Sequence, residues 1–213
     1  MTESLRQSSV HFNADPLENE LRGGWEVVLE YEGETAAPQI VDLSHRNRWD
    51  VQDGDLNRLK PWGREIPEVP GQSSYDRGLL INRMNRTQAA CWHLAGAPLD
   101  KTVQTAFTDI TDGQMMVALV GREAFSMMEK AVALDFQASP FEPPRLFQAP
   151  VFHIPAQIVH LGVDNGRDVI LIACSRGYGH TMTEELLQAG AEWGLHPAGE
   201  KAFSACLGKI FPG

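Results

Sequence analysis

Between residues 108 and 195 the spacing of apolar positions switches between the near-continuous runs of buried strands and the three-to-four step of an amphipathic helix. Residues 115–120 (MMVALV) form an apolar run of strand length that Gly121 interrupts. From Arg122 a helical pattern begins, with Phe125, Met128 and Val132 on one stripe. Residues 151–161 and 168–174 are rich in β-branched and apolar side chains, and Asp164-Asn165-Gly166 between them predicts a hairpin turn. Thr181 and Glu184 have the spacing of a capping box. Leu186, Leu187, Gly190 and Trp193 form the next helical stripe, and Gly194 stands where a C-cap belongs. The predicted order is strand, helix, strand, strand, helix, which is most of a split βαβ unit.

The first half has a weaker pattern. Residues 1–24 are polar with a faint helical stripe and read as an N-terminal arm, followed by a strand over 25–31 (WEVVLEY). Residues 39–52 read as two strands joined by a tight polar turn at His45-Arg46-Asn47. From 53 to 76 the residues Pro61, Gly63, Pro67, Pro70 and Gly71 exclude a long regular element and predict a loop over a cleft. Residues 78–94 return to extended apolar sequence, interrupted by Asn82, Arg83, Asn85 and Arg86. IVDLSHRNRWDVQ at Ile40 can be laid over FTDITDGQMMVAL at Phe107, with Asp42 and Asp109 offset by 109 − 42 = 67 residues. This match is consistent with two related half-domains and equally with two segments that share turn chemistry.

Composition narrows the partners. The 213 residues suffice for one well-filled core or two intimately packed ones. With 18 basic and 28 acidic residues the formal net charge is −10, which disfavours nucleic acid and anionic membrane surfaces. Cys91, Cys174 and Cys206 are odd in number and far apart, so neither a disulfide framework nor a zinc knuckle is predicted. No apolar run approaches the roughly 18 residues of a membrane span and no signal pattern opens the chain, so a cytoplasmic protein is expected. The seven histidines show no HxxxH or HExxH pairing, and no metal site is predicted. Ser44-His45 has no nucleophile-elbow context, and the four methionines at 115, 116, 127 and 128 read as core filling.

Several stretches carry a family resemblance. VDLSH at Val41, PGQSSYDRGLLIN at Pro70, DGQMMVALVGREAFSMMEKAVALDF at Asp112 and LLQAGAEWGLHPAGEKAF at Leu186 resemble, in order and spacing, the folate-binding domain of glycine-cleavage T-proteins (aminomethyltransferases). The abbreviated first half is most similar to the gamma subunit of heterotetrameric sarcosine oxidase. The resemblance implies an α+β fold of two ferredoxin-like (split βαβ) half-domains related by a degenerate repeat, spanning 25–104 and 105–213 of a single unit over 25–213. It also implies a pocket for tetrahydrofolate.

The departures from that pattern bear on function. The acidic pair that handles the proton on the folate nitrogen falls at Thr87 and Gln88, neither of which can ionise. The carboxylates that hold the pterin line up with Asp164 and Asp168, in a stretch that turn chemistry alone also explains. Arg83 and Arg86 could grip the glutamate tail of a folate or could lie in a solvated loop. Residues 175–180 (SRGYGH) offer backbone amides at a helix start but lack GxGxxG spacing. The expected role is a non-catalytic gamma-like subunit supporting a flavoprotein complex in one-carbon metabolism, with homo-oligomer formation as the other partner reading. The alternatives are a tetrahydrofolate-dependent aminomethyltransferase and a stand-alone folate-binding module.

Overall fold

Alternation of apolar and polar residues builds most of the molecule as β-sheet. A computed structural model describes residues 5–36, 38–99 and 105–212. Its strands are β1 (Pro16–Arg22), β2 (Trp25–Tyr31), β3 (Gln39–Asp42), β4 (Arg48–Gln52), β5 (Ser73–Asp76), β6 (Leu79–Arg83), β7 (Gln88–His93) and β8 (Phe107–Asp109). Then come β9 (Gln114–Gly121), α1 (Ala124–Ala131), β10 (Arg145–Val151), β11 (Ile154–Asp164), β12 (Arg167–Ser175), α2 (Gly179–Gly190), β13 (His196–Ala198) and α3 (Glu200–Ile210). The result is a mixed α+β fold with few helices. No helix among the described residues is long and apolar enough to cross a membrane.

Two large sheets run in the orders β10-β11-β12-β9-β3-β13 and β5-β6-β7-β4-β8, and β1-β2 forms a separate hairpin. All neighbours are antiparallel except β13 and β3. One apolar layer lies between the six-stranded sheet and α1 and α2, with Met115, Met127, Met128, Ile158 and Leu186 buried in it. A second fills the space between the two sheets and α3, around Trp92, Met116, Leu171 and Phe203. A third packs Trp49, Val51 and Cys91 under Leu56 and Ile66 of the 53–76 loop. Fully burying one such large side chain contributes about 2 kcal/mol. All three cysteines are free and buried.

Several sequence expectations hold. Asn165 (φ 51°) and Gly166 (φ 77°) make the predicted β11–β12 turn, and Gly194 (φ 72°) closes the 3-10 turn after α2. The second half runs β9, α1, then β11 parallel to β9 with β12 between them. The described residues of the 53–76 stretch form only two 3-10 turns and short β5.

Other expectations need correction. The arm expected over 1–24 contributes β1, which turns through Gly23 and Gly24 (φ 57° and 83°) onto β2; residues 1–4 lie outside the described residues. Thr181 does not cap α2, because the helix starts at Gly179 directly after a 3-10 turn, without a side-chain cap. His153 sits in the β10–β11 turn at φ 67°, not on a strand with His160. β3 and β4 do not form a hairpin, since they belong to different sheets.

The same split occurs at β8 and β9, so two links cross between the sheets in opposite senses. Leu43 N donates to Met116 O (2.8 Å) and Ile110 N to Arg48 O (2.9 Å). Asp42 Oδ1 accepts from Ser44 N (2.8 Å), as Asp109 Oδ1 does from Thr111 N (2.9 Å). Ser44 Oγ accepts from Met116 N (3.2 Å), and Thr111 Oγ1 from Arg48 N (3.0 Å). The two segments matched in sequence therefore make the same bonds, each to the other.

Candidate functional site

At this crossing the Arg48 side chain is wholly buried, and its guanidinium donates to the carbonyl oxygens of Leu43, Ser44, Arg46, Thr111 and Gln114 at 2.8–3.2 Å. Burial draws its pKa down to about 10, against the pull of Asp42, Asp109 and Asp112. Five carbonyls leave no room for a ligand, and the group is a structural clamp.

Beside the crossing lies an ionic cluster. Glu200, the first residue of α3, is 3% exposed, and its carboxylate meets His45 Nε2 (2.7 Å), Arg46 Nη2 (2.5 Å) and Arg22 Nη1 (2.8 Å). Burial alone would raise its pKa, but the His45 hydrogen bond and the charges of Arg46 and Arg22 hold it down to about 2. His45 also lines a cavity of 380 Å³ with Asp42, Tyr31 and Glu26, roofed by Arg6, His11 and Phe12 of the N-terminal segment. A carboxylate held by two guanidinium groups and an imidazole is a poor general base, so this cluster ties β1, the β3–β4 link and α3 together.

The four residues expected to bind folate are not brought together. Asp164 is buried against α3, where Arg167 Nη2 (2.6 Å) and Lys209 Nζ (3.5 Å) neutralise it. Asp168 faces the opposite side of the six-stranded sheet, bonded to His160 Nε2 at 2.9 Å beneath the ring of Phe125 on α1. Burial lowers the His160 pKa and raises that of Asp168, and their mutual attraction opposes both shifts. The Arg83 guanidinium is internal, spending its hydrogen bonds on the carbonyls of Asn85, Pro67 and Arg86, while the Arg86 side chain is exposed. Asp164 and Asp168 thus stand on opposite faces of the six-stranded sheet.

At the position of the acidic pair, the Gln88 carboxamide donates to Asp50 Oδ1 (2.8 Å), and the other Asp50 oxygen accepts from Gln52 Nε2 (2.5 Å). A carboxylate from the neighbouring strand thus reaches this site, a contact that sequence spacing did not reveal. The register pairs Asp50 with Ala90 and Gln52 with Gln88, so these two residues of β4 meet the first residue of β7 on one face. Ser44 and His45 are separated in role, one hydroxyl bound to Met116 N and one imidazole bound to Glu200. Residues 176–178 form the strand-to-helix connection ahead of α2. The 53–76 loop borders a cleft of 730 Å³ whose rim carries Glu65, Glu68 and Glu142.

No protein-family model matches the sequence, and no curated protein matches it. Among solved structures, a chain of the heterotetrameric sarcosine oxidase from Corynebacterium sp. U-96, determined in complex with pyrrole 2-carboxylate, superposes with a TM-score of 0.63 at 14% identity. That match covers 76% of this chain and 87% of the other. The glycine cleavage system aminomethyltransferase T from Bartonella henselae superposes with a TM-score of 0.65 at 17% identity, over 96% of this chain and 62% of its own length. The chain has the fold these two proteins share, and it spans less than two thirds of the aminomethyltransferase.

Proposed function

We propose that this chain is a non-catalytic subunit of the sarcosine oxidase gamma type, working in the cytoplasm against flavoprotein partners in one-carbon metabolism. The observation that carries the reading is the start of β7, where Thr87 and Gln88 stand in place of ionisable residues. A carboxamide neither gives nor takes a proton in general acid–base catalysis. Two ferredoxin-like halves meeting at 104/105 belong to this proposal, the boundary lying at the edge of the undescribed residues 100–104.

The second reading, a tetrahydrofolate-dependent aminomethyltransferase, is favoured by Asp50, a carboxylate 2.8 Å from Gln88. For tetrahydrofolate as a ligand, Arg86 is the one of the four candidate residues whose side chain is exposed. Co-expression with flavoprotein reading frames encoded beside it, followed by gel filtration, tests the first reading. Co-elution with bound flavin is expected, and a chain that always elutes alone removes it. Thermal shift with folinic acid tests the second, since a ligand at 100 times its Kd adds about 2.7 kcal/mol. A shift abolished by Asp50→Asn would support transfer chemistry, and no shift would eliminate it.

A further inference from the structure

A pocket of 370 Å³ opens where the β6–β7 turn meets the six-stranded sheet, and none of its eleven lining residues carries a formal charge. The register explains the hollow. Gln148, Gln157 and Ala173 stand side by side on β10, β11 and β12, and Ser175 stands opposite Gln114 on β9. The small side chains of Ala173 and Ser175 therefore leave a gap between two carboxamides. Met84 closes the pocket from the other sheet, and its carbonyl accepts from Gln148 Nε2 at 2.9 Å, which fixes that wall. Two residues further along the strands the apolar row of Leu146, Val159, Leu171 and Ala118 belongs to the layer between the sheets. Gln114 Oε1 and Gln157 Oε1 are buried and make no hydrogen bond. Unmet acceptors of this kind cost about 1–3 kcal/mol each, so their pairing is the missing half of the arrangement.

The geometry points to a binding site for an uncharged planar heterocycle carrying N–H donors. Its faces would lie against Met84 and Pro150, and its edge would donate to Gln114 and Gln157. The absence of charge from the lining disfavours an anion or cation, whose desolvation nothing there would offset. This site is separate from Asp164, Asp168, Arg83 and Arg86, and it stands whether or not the chain joins a flavoprotein complex.

Saturation-transfer NMR on the full chain, with 2-aminopyrimidine and pyrimidine as probes, tests it. The two rings share shape and neutrality and differ in the donor, so 2-aminopyrimidine should bind about tenfold more tightly. Gln157→Leu should bring its affinity down to that of pyrimidine while leaving pyrimidine unchanged. Equal affinities in the unaltered chain, or no transfer to 2-aminopyrimidine, overturn the site. Equality is the result expected if ordered water alone meets the two oxygens. The probe comparison requires no variant, so it decides even if Gln157→Leu fails to fold.

Discussion

Glu200 shows how much of this molecule rests on one charge. Its folded-state pKa of about 2 lies below the ordinary value of 4.5, so the unfolded chain takes up the proton first as the pH falls. Its contribution is complete above about pH 4.5, is lost as the pH falls towards 2, and after solvent screening is on the order of 2 kcal/mol. Glu200→Gln leaves His45, Arg46 and Arg22 without their anion and should cost about 3 kcal/mol in urea unfolding at pH 7. The difference from the unaltered chain should shrink between pH 4.5 and 3. Arg48→Met would strand five carbonyls at the crossing and should cost more than about 4 kcal/mol, read the same way. Neither residue was legible as important in the sequence. Glu200 joins partners at positions 22, 45 and 46, and a one-dimensional pattern holds no trace of that meeting. Asp164 and Asp168 are separated for a related reason: the turn pairs Asp164 with Arg167 on one face, so Asp168, the next residue of β12, takes the opposite face.

Elements whose apolar face is continuous were legible, and those without one were not. β9, α1 and the β11–β12 hairpin bury regular stripes, and their periods survive in the sequence. β1 buries almost nothing, with Leu17 and Leu21 at 59% and 64% exposure, so no period marked it; Gly23-Gly24 was the available signal. The β3–β4 stretch read correctly as two strands, but strand pattern does not say which sheet a strand joins. The start of α3 depends on a close approach equally invisible in sequence. A Cβ on Gly199 would lie 2.2 Å from the Leu29 carbonyl group, and its amide donates to Glu34 Oε1 (2.7 Å). Gly199→Ala should force β2 away from α3 and lower stability by about 2–3 kcal/mol, measured by thermal unfolding. The same exchange at Gly113, where added atoms meet open space, should change little.

At the scale of the whole molecule, the α+β class and the likeness in fold to a sarcosine oxidase chain and an aminomethyltransferase were within reach of the sequence, because order and spacing of motifs outlast identities of 14% and 17%. The paired links between the sheets set how the protein comes apart. Neither sheet can withdraw from the other while the Arg48 guanidinium on β4 holds the Gln114 carbonyl of β9 and the Leu43, Ser44 and Thr111 carbonyls of the links. The amides of Leu43, Arg48, Ile110 and Met116 should accordingly be among the last to take up deuterium, and strands of both sheets should lose protection in a single step. Two separable exchange phases, one per sheet, would show the links to be passive tethers. If they act as the geometry dictates, the chain behaves as one knot of stability: it opens everywhere or nowhere, and a partner protein always meets a finished surface.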